Sequence, residues 1–350
     1  MSIPSRPGVL TAAALQCVLT ATTLAIPANP NPFEAQQPDG TTILLRVRGD
    51  ERFSWIEDAS GYAVVKQEGR YVYAGTDPAV GAIEVGKADP AACGLAPGAV
   101  PPQAIQTRGI EAAAPFEAQA TSAVPAMGTV KNLVILCRFS DHPEATFTRP
   151  PADYEKVFNA VGGDALAPTG SIRDIFFEDS YGQMTLVSTI VGWVTLPRTE
   201  SYYSAGSSGG RAREMVRDAL VAADPLIDFS QFDQDADGWV DAIDIIHSGY
   251  GAEFDGNLDH IWSHRWSITP WTSQEGVKVS DYHTEPALWG TSGTAITRVG
   301  VVAHESGHFF GLPDLYDTSY PGEGAGSWCM MANSWGFDGE QYNPPHFCAW

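Results

Sequence analysis

The sequence predicts an α+β fold: a small β-rich unit over residues 29–100, an Ala/Pro-rich linker over 101–127, and a larger domain of mixed sheet and helix over 128–350. Three observations carry this. Short apolar runs broken by Gly and Asp fill the first stretch; prolines crowd the second; apolar strands alternate with amphipathic helices in the third.

In the first unit, Thr42 to Arg48, Phe53 to Ile56, Tyr62 to Lys66 and Tyr71 to Tyr73 read as strands, with a Gly49-Asp50-Glu51 turn after the first. The unit contains no histidine. From Ala91 to Gly128 the text is linker-like, with Pro97, Pro101, Pro102, Pro115 and Pro125. Beyond it, Leu133 to Phe139 reads as a buried strand. Ser171 to Glu178 reads as a short helix with Ile172, Ile175 and Phe176 on one face. Met184 to Leu196 is strand-like through Gly192. Arg211 to Ala223 is a helix whose stripe is Met215, Val216, Ala219 and Leu220, and Val240 to His247 is a strand after an Asp-rich loop.

The 350 residues, 44% hydrophobic and 18% charged, suffice for a full core and more than one folding unit. A formal net charge of −22, from 42 acidic against 20 basic residues, repels nucleic acid and anionic headgroups, which argues against either as a partner. At the N-terminus, Arg6, an uncharged apolar stretch from Val9 to Ala25 and a Pro/Asn-rich segment have the layout of a signal peptide, residues 1–28, cut after Ala25 or Ala28. The stretch falls short of the roughly 20 apolar residues of a spanning helix, so no stable membrane insertion is expected. Gln16 argues against lipidation of Cys17. A secreted, extracellular protein follows. Its remaining cysteines, Cys93, Cys137, Cys329 and Cys348, allow three pairings and include no CxxC spacing.

The chemistry concentrates in His304-Glu-Ser-Gly-His-Phe-Phe-Gly-Leu-Pro-Asp314, on a helix expected to start near Thr297. Residues four apart share a helix face, so His304 and His308 offer two imidazoles to one ion. Glu305 projects beside the metal, where the base for a metal-bound water belongs. Gly311 suits the left-handed conformation that ends a helix, Pro313 discourages another turn, and Asp314 then returns to the same ion. Two imidazoles and a carboxylate leave a fourth position for water, the pattern of a catalytic zinc. His260 and His264 repeat the spacing, but no glutamate stands beside them and they lie among Ile261, Trp262 and Trp266; they read as structural.

With those residues in view, the chain resembles the M6, or immune inhibitor A-like, metalloproteases, a zincin branch near the metzincins. HESGHFFGLPDLYD (His304 to Asp317), FFEDSYGQ (Phe176 to Gln183), GWVTLP (Gly192 to Pro197), FDQDADGWVDAIDIIHSGYGAE (Phe232 to Glu253) and IWSHRW (Ile261 to Trp266) carry the likeness. The resemblance implies a metzincin-like catalytic domain and a zinc metalloendopeptidase acting on proteins or peptides, with Glu305 activating the zinc-bound water. GSWCMMANSWG (Gly326 to Gly336) is similar to the turn that places a methionine under the zinc, here Met331 rather than Met330. The β-rich unit resembles a propeptide, implying a zymogen inhibited by its own N-terminal segment; Cys93 faintly resembles a cysteine switch. Tyr316 is a candidate for stabilising the oxyanion. The chain stops at His346-Phe-Cys-Ala-Trp350, where the resemblance implies a continuation.

Asp233, Asp235, Asp237, Gly238 and Asp241 follow a calcium-loop spacing, with Trp239 giving a backbone carbonyl; Asp244 extends the pattern but points elsewhere if a strand follows. Two other readings remain open: a catalytically silent zincin-scaffold binding or adhesion module, and a zinc amidase acting on cell-wall peptides. Glu305 speaks against the first, because a module without turnover needs no carboxylate beside an open metal.

Overall fold

The computed structural model describes residues 24–75, 81–99, 105–106, 124–317, 322 and 324–349. Twelve strands in that range are β1 Leu24–Ala25, β2 Phe33–Gln36, β3 Thr42–Gly49, β4 Phe53–Asp58, β5 Ala63–Gln67, β6 Arg70–Tyr73, β7 Ile105–Gln106, β8 Gly128–Arg138, β9 Met184–Thr195, β10 Ile243–His247, β11 His264–Thr272 and β12 Lys278–Pro286. The α-helices are α1 Glu144–Phe147, α2 Pro151–Asn159, α3 Ile172–Asp179, α4 Glu200–Ser204, α5 Ala212–Ala223 and α6 Val299–Gly307.

Strands β2 to β6 form an antiparallel sheet in sequence order, with β7 added to β4. The larger sheet runs β1-β11-β12-β10-β8-β9 and is mixed: β9, β8, β10 and β12 are parallel, β11 is antiparallel to β12, and β1 at the edge is antiparallel to β11. The chain thus has the expected α+β content. Alternation along β8 and β10 sorts their side chains. Leu133, Ile135, Cys137, Ile243 and Ile245 pack with Met215, Val216, Ala219 and Leu220 of α5. Val134, Leu136 and Ile246 face the other way, toward Tyr154, Val157 and Phe158 of α2, Ile172 and Phe176 of α3, and Val299, Val302 and Ala303 of α6. Ser171 caps α3 in a reciprocal pair with Asp174, an arrangement worth about 1 kcal/mol.

Helix α6 is buried at all nine positions, so its sequence is apolar all round apart from the residues that serve the site. It begins at Val299, two residues later than the pattern predicted. Residues 1–23 and 107–123, which hold most of the expected signal peptide and linker, lie outside the described residues. The last residues of the expected signal segment do take part in the fold. β1 pairs with β11, Ile26 is buried, and the indole N–H groups of Trp262 and Trp335 donate to the Ile26 and Pro27 carbonyls at 3.0 and 2.8 Å. Among the described residues no helix is long and apolar enough to cross a membrane.

Candidate metal centre

His304 sits in the last turn of α6; His308 opens a 3-10 turn that continues it to Phe310. Gly311 then takes φ +79°, the left-handed conformation that reverses the chain, and Asp314 comes back toward both imidazoles. Asp314 Oδ1 lies 3.1 Å from His304 Nε2 and 3.4 Å from His308 Nε2. The three residues form a group whose ligand atoms all lie within 4.8 Å of one another. The structure therefore brings together the three residues that the motif nominated.

Each imidazole is oriented from behind. His304 Nδ1 lies 3.1 Å from the Met330 carbonyl and His308 Nδ1 2.7 Å from the Leu312 carbonyl. A carbonyl accepts only, so both Nδ1 atoms carry the proton and both Nε2 lone pairs face the shared centre. Burial pushes His308 down to about 4, which keeps it a neutral ligand. Burial tends to raise the Asp314 carboxyl, but the His304 and His308 rings that face it hold it below the usual carboxylate range.

Glu305 is fully buried, and neither of its oxygens has a hydrogen-bond partner; the His308 imidazole lies 3.9 Å from it. Burial pushes its carboxyl well above the usual range, and the carboxylates of Glu285, Asp314, Glu51 and Glu253 push the same way. An acid in such surroundings is stabilised by a cation. His308 Nε2 and Asp314 Oδ2 have no hydrogen-bond partner, and two imidazoles with a carboxylate suit zinc. These residues fit a metal.

Met331 is 1% exposed, and a Cβ on Gly307 would come within 3.0 Å of its sulfur, so the thioether lies against the helix between the two histidines. Its carbonyl accepts from Leu315 N–H at 2.8 Å, pinning the residue after Asp314. Met330 has a different part: its carbonyl orients His304. Tyr316 is buried close to Asp314 and Glu51.

The N-terminal sheet contributes residues that sequence reasoning missed. Val47 of β3 packs with Val301 of α6, Phe254 and Trp335. The turn after β3 carries Asp50 and Glu51, which are 1% and 3% exposed and both act electrostatically on Asp314; Glu51 also acts on Glu305. The carbonyl of Gly49 accepts from Ala28 N–H, and that of Glu253 from Asn29 N–H. Cys93, by contrast, is exposed and is no part of the His304–His308–Asp314 group.

Asp233, Asp235 and Asp237 also converge within 4.8 Å. Asp233 accepts from the N–H groups of Asp237 and Gly238, each at 3.0 Å, while Asp241 closes the loop by accepting from Gln234 N–H at 2.9 Å. Trp239 bridges to Lys278 beside the loop. Asp244 is not in it: it lies buried on β10, opposite His283. His264 is held by the Trp262 carbonyl at 2.7 Å and the Tyr282 hydroxyl at 2.9 Å, the structural role expected of it, and His260 approaches Asn257 instead.

Comparison with known proteins places the chain in a family. The chain is 31% identical over 249 residues to immune inhibitor A of Bacillus thuringiensis subsp. alesti, covering 58% of this chain and 36% of that protein. It is 29% identical over 252 residues to the pre-pro-metalloprotease PrtV of Vibrio cholerae serotype O1, covering 60% and 26%. It therefore spans roughly a third or less of the length of these relatives. The family described as immune inhibitor A peptidase M6, catalytic domain, matches residues 120–350, and with His304, Glu305, His308 and Asp314 inside that match, the chain belongs to the M6 peptidase family.

Proposed function

We propose that the chain is a secreted zinc metalloendopeptidase made as a zymogen, with zinc held by His304, His308 and Asp314. The observation that carries this reading is the buried, unpartnered Glu305 carboxylate beside three converging ligand atoms. Zinc, when bound, supplies Lewis acidity toward a carbonyl and lowers the pKa of water to roughly 7. Glu305 takes the proton of the attacking water on its carboxylate and returns it to the leaving amine. Asp314 balances charge; the carbonyls of Met330 and Leu312 keep the imidazoles turned inward; Met331 packs beneath them. Assay of casein hydrolysis before and after chelation tests the reading.

The same proposal gives the N-terminal unit an inhibitory role. Its β3–β4 turn brings the buried Asp50 and Glu51 close enough to Asp314 to act on it electrostatically, which supports that role. A cavity of about 1050 Å³ separates strands β4 to β6 from the Asp255–Asp259 loop, so the unit is less tightly joined there. Release by cleavage between Gly98 and Met127 follows, since linkers are where proteases cut.

Calcium binding at Asp233, Asp235 and Asp237, with the Trp239 carbonyl and Asp241, belongs to the same proposal. Burial, together with its three acidic neighbours, pushes the Asp241 carboxyl up to about 6. The sign follows. A carboxyl raised on folding contributes stability at low pH that is lost as pH rises through about 6, whereas calcium favours the ionised form. Calcium should therefore raise Tm near pH 7.5, and the gain should shrink toward pH 5, as thermal scans with and without calcium will show.

Cys329 and Cys348 lie in side-chain contact, with Cys348 N–H directed at Cys329 Sγ at 3.2 Å, while Cys137 is buried in β8. In an oxidising medium this pair is expected to close, adding about 3 kcal/mol for a loop of that size. Non-reducing peptide mapping should find Cys329–Cys348 and no link to Cys137.

A further inference from the structure

Asp244 interrupts the apolar run Ile243 to Ile246 of β10, and β12 places His283 directly opposite it and Glu285 two residues on. All three are completely buried. Their ligand atoms lie within 4.8 Å of one another. His283 Nδ1 is 2.7 Å from Glu285 Oε1 and 3.5 Å from Asp244 Oδ1. No N–H or hydroxyl donor reaches either Asp244 oxygen or Glu285 Oε2, and the two carboxyls face each other. On its other side, His283 Nε2 lies 3.3 Å from Ser306 Oγ, next to Glu305 on α6, and the ring packs on Phe309 at 5.0 Å.

We propose that Asp244, His283 and Glu285 form a second metal site, holding a first-row divalent cation of the zinc class beneath the active-site helix. Two ionised carboxylates and a neutral imidazole with no access to water carry two uncompensated negative charges, which a divalent cation cancels. Three carboxylate oxygens that lack donors become ligands. Ser306 can accept from His283 Nε2–H, which selects the tautomer whose Nδ1 lone pair faces the two carboxylates. The mixture of one nitrogen with carboxylate oxygens suits zinc or manganese better than calcium, which takes oxygen alone.

The rival arrangement is a proton shared by the facing Asp244 and Glu285 carboxyls, with His283 Nδ1–H donating to Glu285. Burial favours such a proton. It leaves one net negative charge, however, among further acids: Glu253 acts on Glu285, and Glu285 acts on Glu305. Through Ser306 and Phe309 the bound ion would fix α6 from below, as the Met330 and Leu312 carbonyls fix its histidines from the side.

The test is metal content of the full chain after exhaustive dialysis, counting zinc and manganese by mass spectrometry with calcium measured separately. Wild type should retain about two first-row ions per chain, and His304→Ala with His308→Ala about one, with a Tm that falls when that ion is stripped and recovers with zinc. Adding Asp244→Asn and Glu285→Gln to that variant should remove the remaining ion. No ion in the His304/His308 variant, an unchanged Tm when its ion is stripped, or an ion that survives the Asp244/Glu285 changes would each overturn the proposal. The first two results come from chains with an intact cluster, so they decide the matter even if the last variant fails to fold.

Discussion

Replacing Glu305 by glutamine should lower casein hydrolysis by about 10²–10⁴-fold while the zinc stays bound. Glutamine keeps the shape of the side chain and removes its ability to take a proton. The three ligand atoms belong to His304, His308 and Asp314, whose orientation comes from the Met330 and Leu312 carbonyls and from the Gly311 reversal, none of which involves Glu305. The loss should therefore appear in kcat with metal content unchanged. Glu305 is also a buried carboxylate facing Asp314 and three other acids, so its replacement by a neutral amide should not lower the Tm of the metal-free protein. A variant that loses zinc along with activity would make Glu305 a ligand, and one that keeps full activity would remove it from the mechanism.

The second large effect expected is activation. A docking free energy of about 3 kcal/mol between the N-terminal unit and the rest leaves fewer than about one molecule in 100 open, so separating them should raise kcat/KM on the order of 100-fold. An engineered protease site placed between residues 107 and 123, assayed before and after cutting, measures this directly. Glu51→Ala in the uncut chain should move in the same direction, since it withdraws a buried acid that acts on Asp314 and Glu305. Equal activity of cut and uncut protein would show that the unit does not restrain the site.

The grouping of His304, His308 and Asp314 was legible because its geometry is local. Four-residue spacing on one helix, a glycine at the turn and an acid three residues later are enough to bring His304, His308 and Asp314 together, and Gly311 adopts the conformation that the pattern required. The strands of the N-terminal unit and the helices α3 and α5 were legible for the same reason, since alternation and apolar stripes are local. Strands β11 and β12 were not, because polar and aromatic residues fill them without alternating.

What was missed depends on long-range pairing. Asp244 looked like an extension of the calcium pattern; parallel pairing of β10 with β12 sets it against His283 instead. The signal was there, in a lone acid inside Ala-Ile-Asp-Ile-Ile and in the charged pair of Tyr-His-Thr-Glu-Pro, but nothing in the sequence says that these two segments are neighbours. The same holds for Asp50 and Glu51, which looked like an ordinary hairpin turn until β3 was seen packing on Val301. The roles of Met330 and Met331 needed coordinates for a further reason: one acts through its carbonyl and the other through its sulfur.

The measurement that bears most directly on the central claim is zinc reconstitution of chelator-stripped, linker-cleaved protein, followed by casein hydrolysis, with Asp314→Ala treated in parallel. The account predicts that hydrolysis vanishes on stripping, returns as zinc is added to wild type, and does not return in the variant. Hydrolysis that survives stripping, or that zinc restores equally in Asp314→Ala, would contradict it.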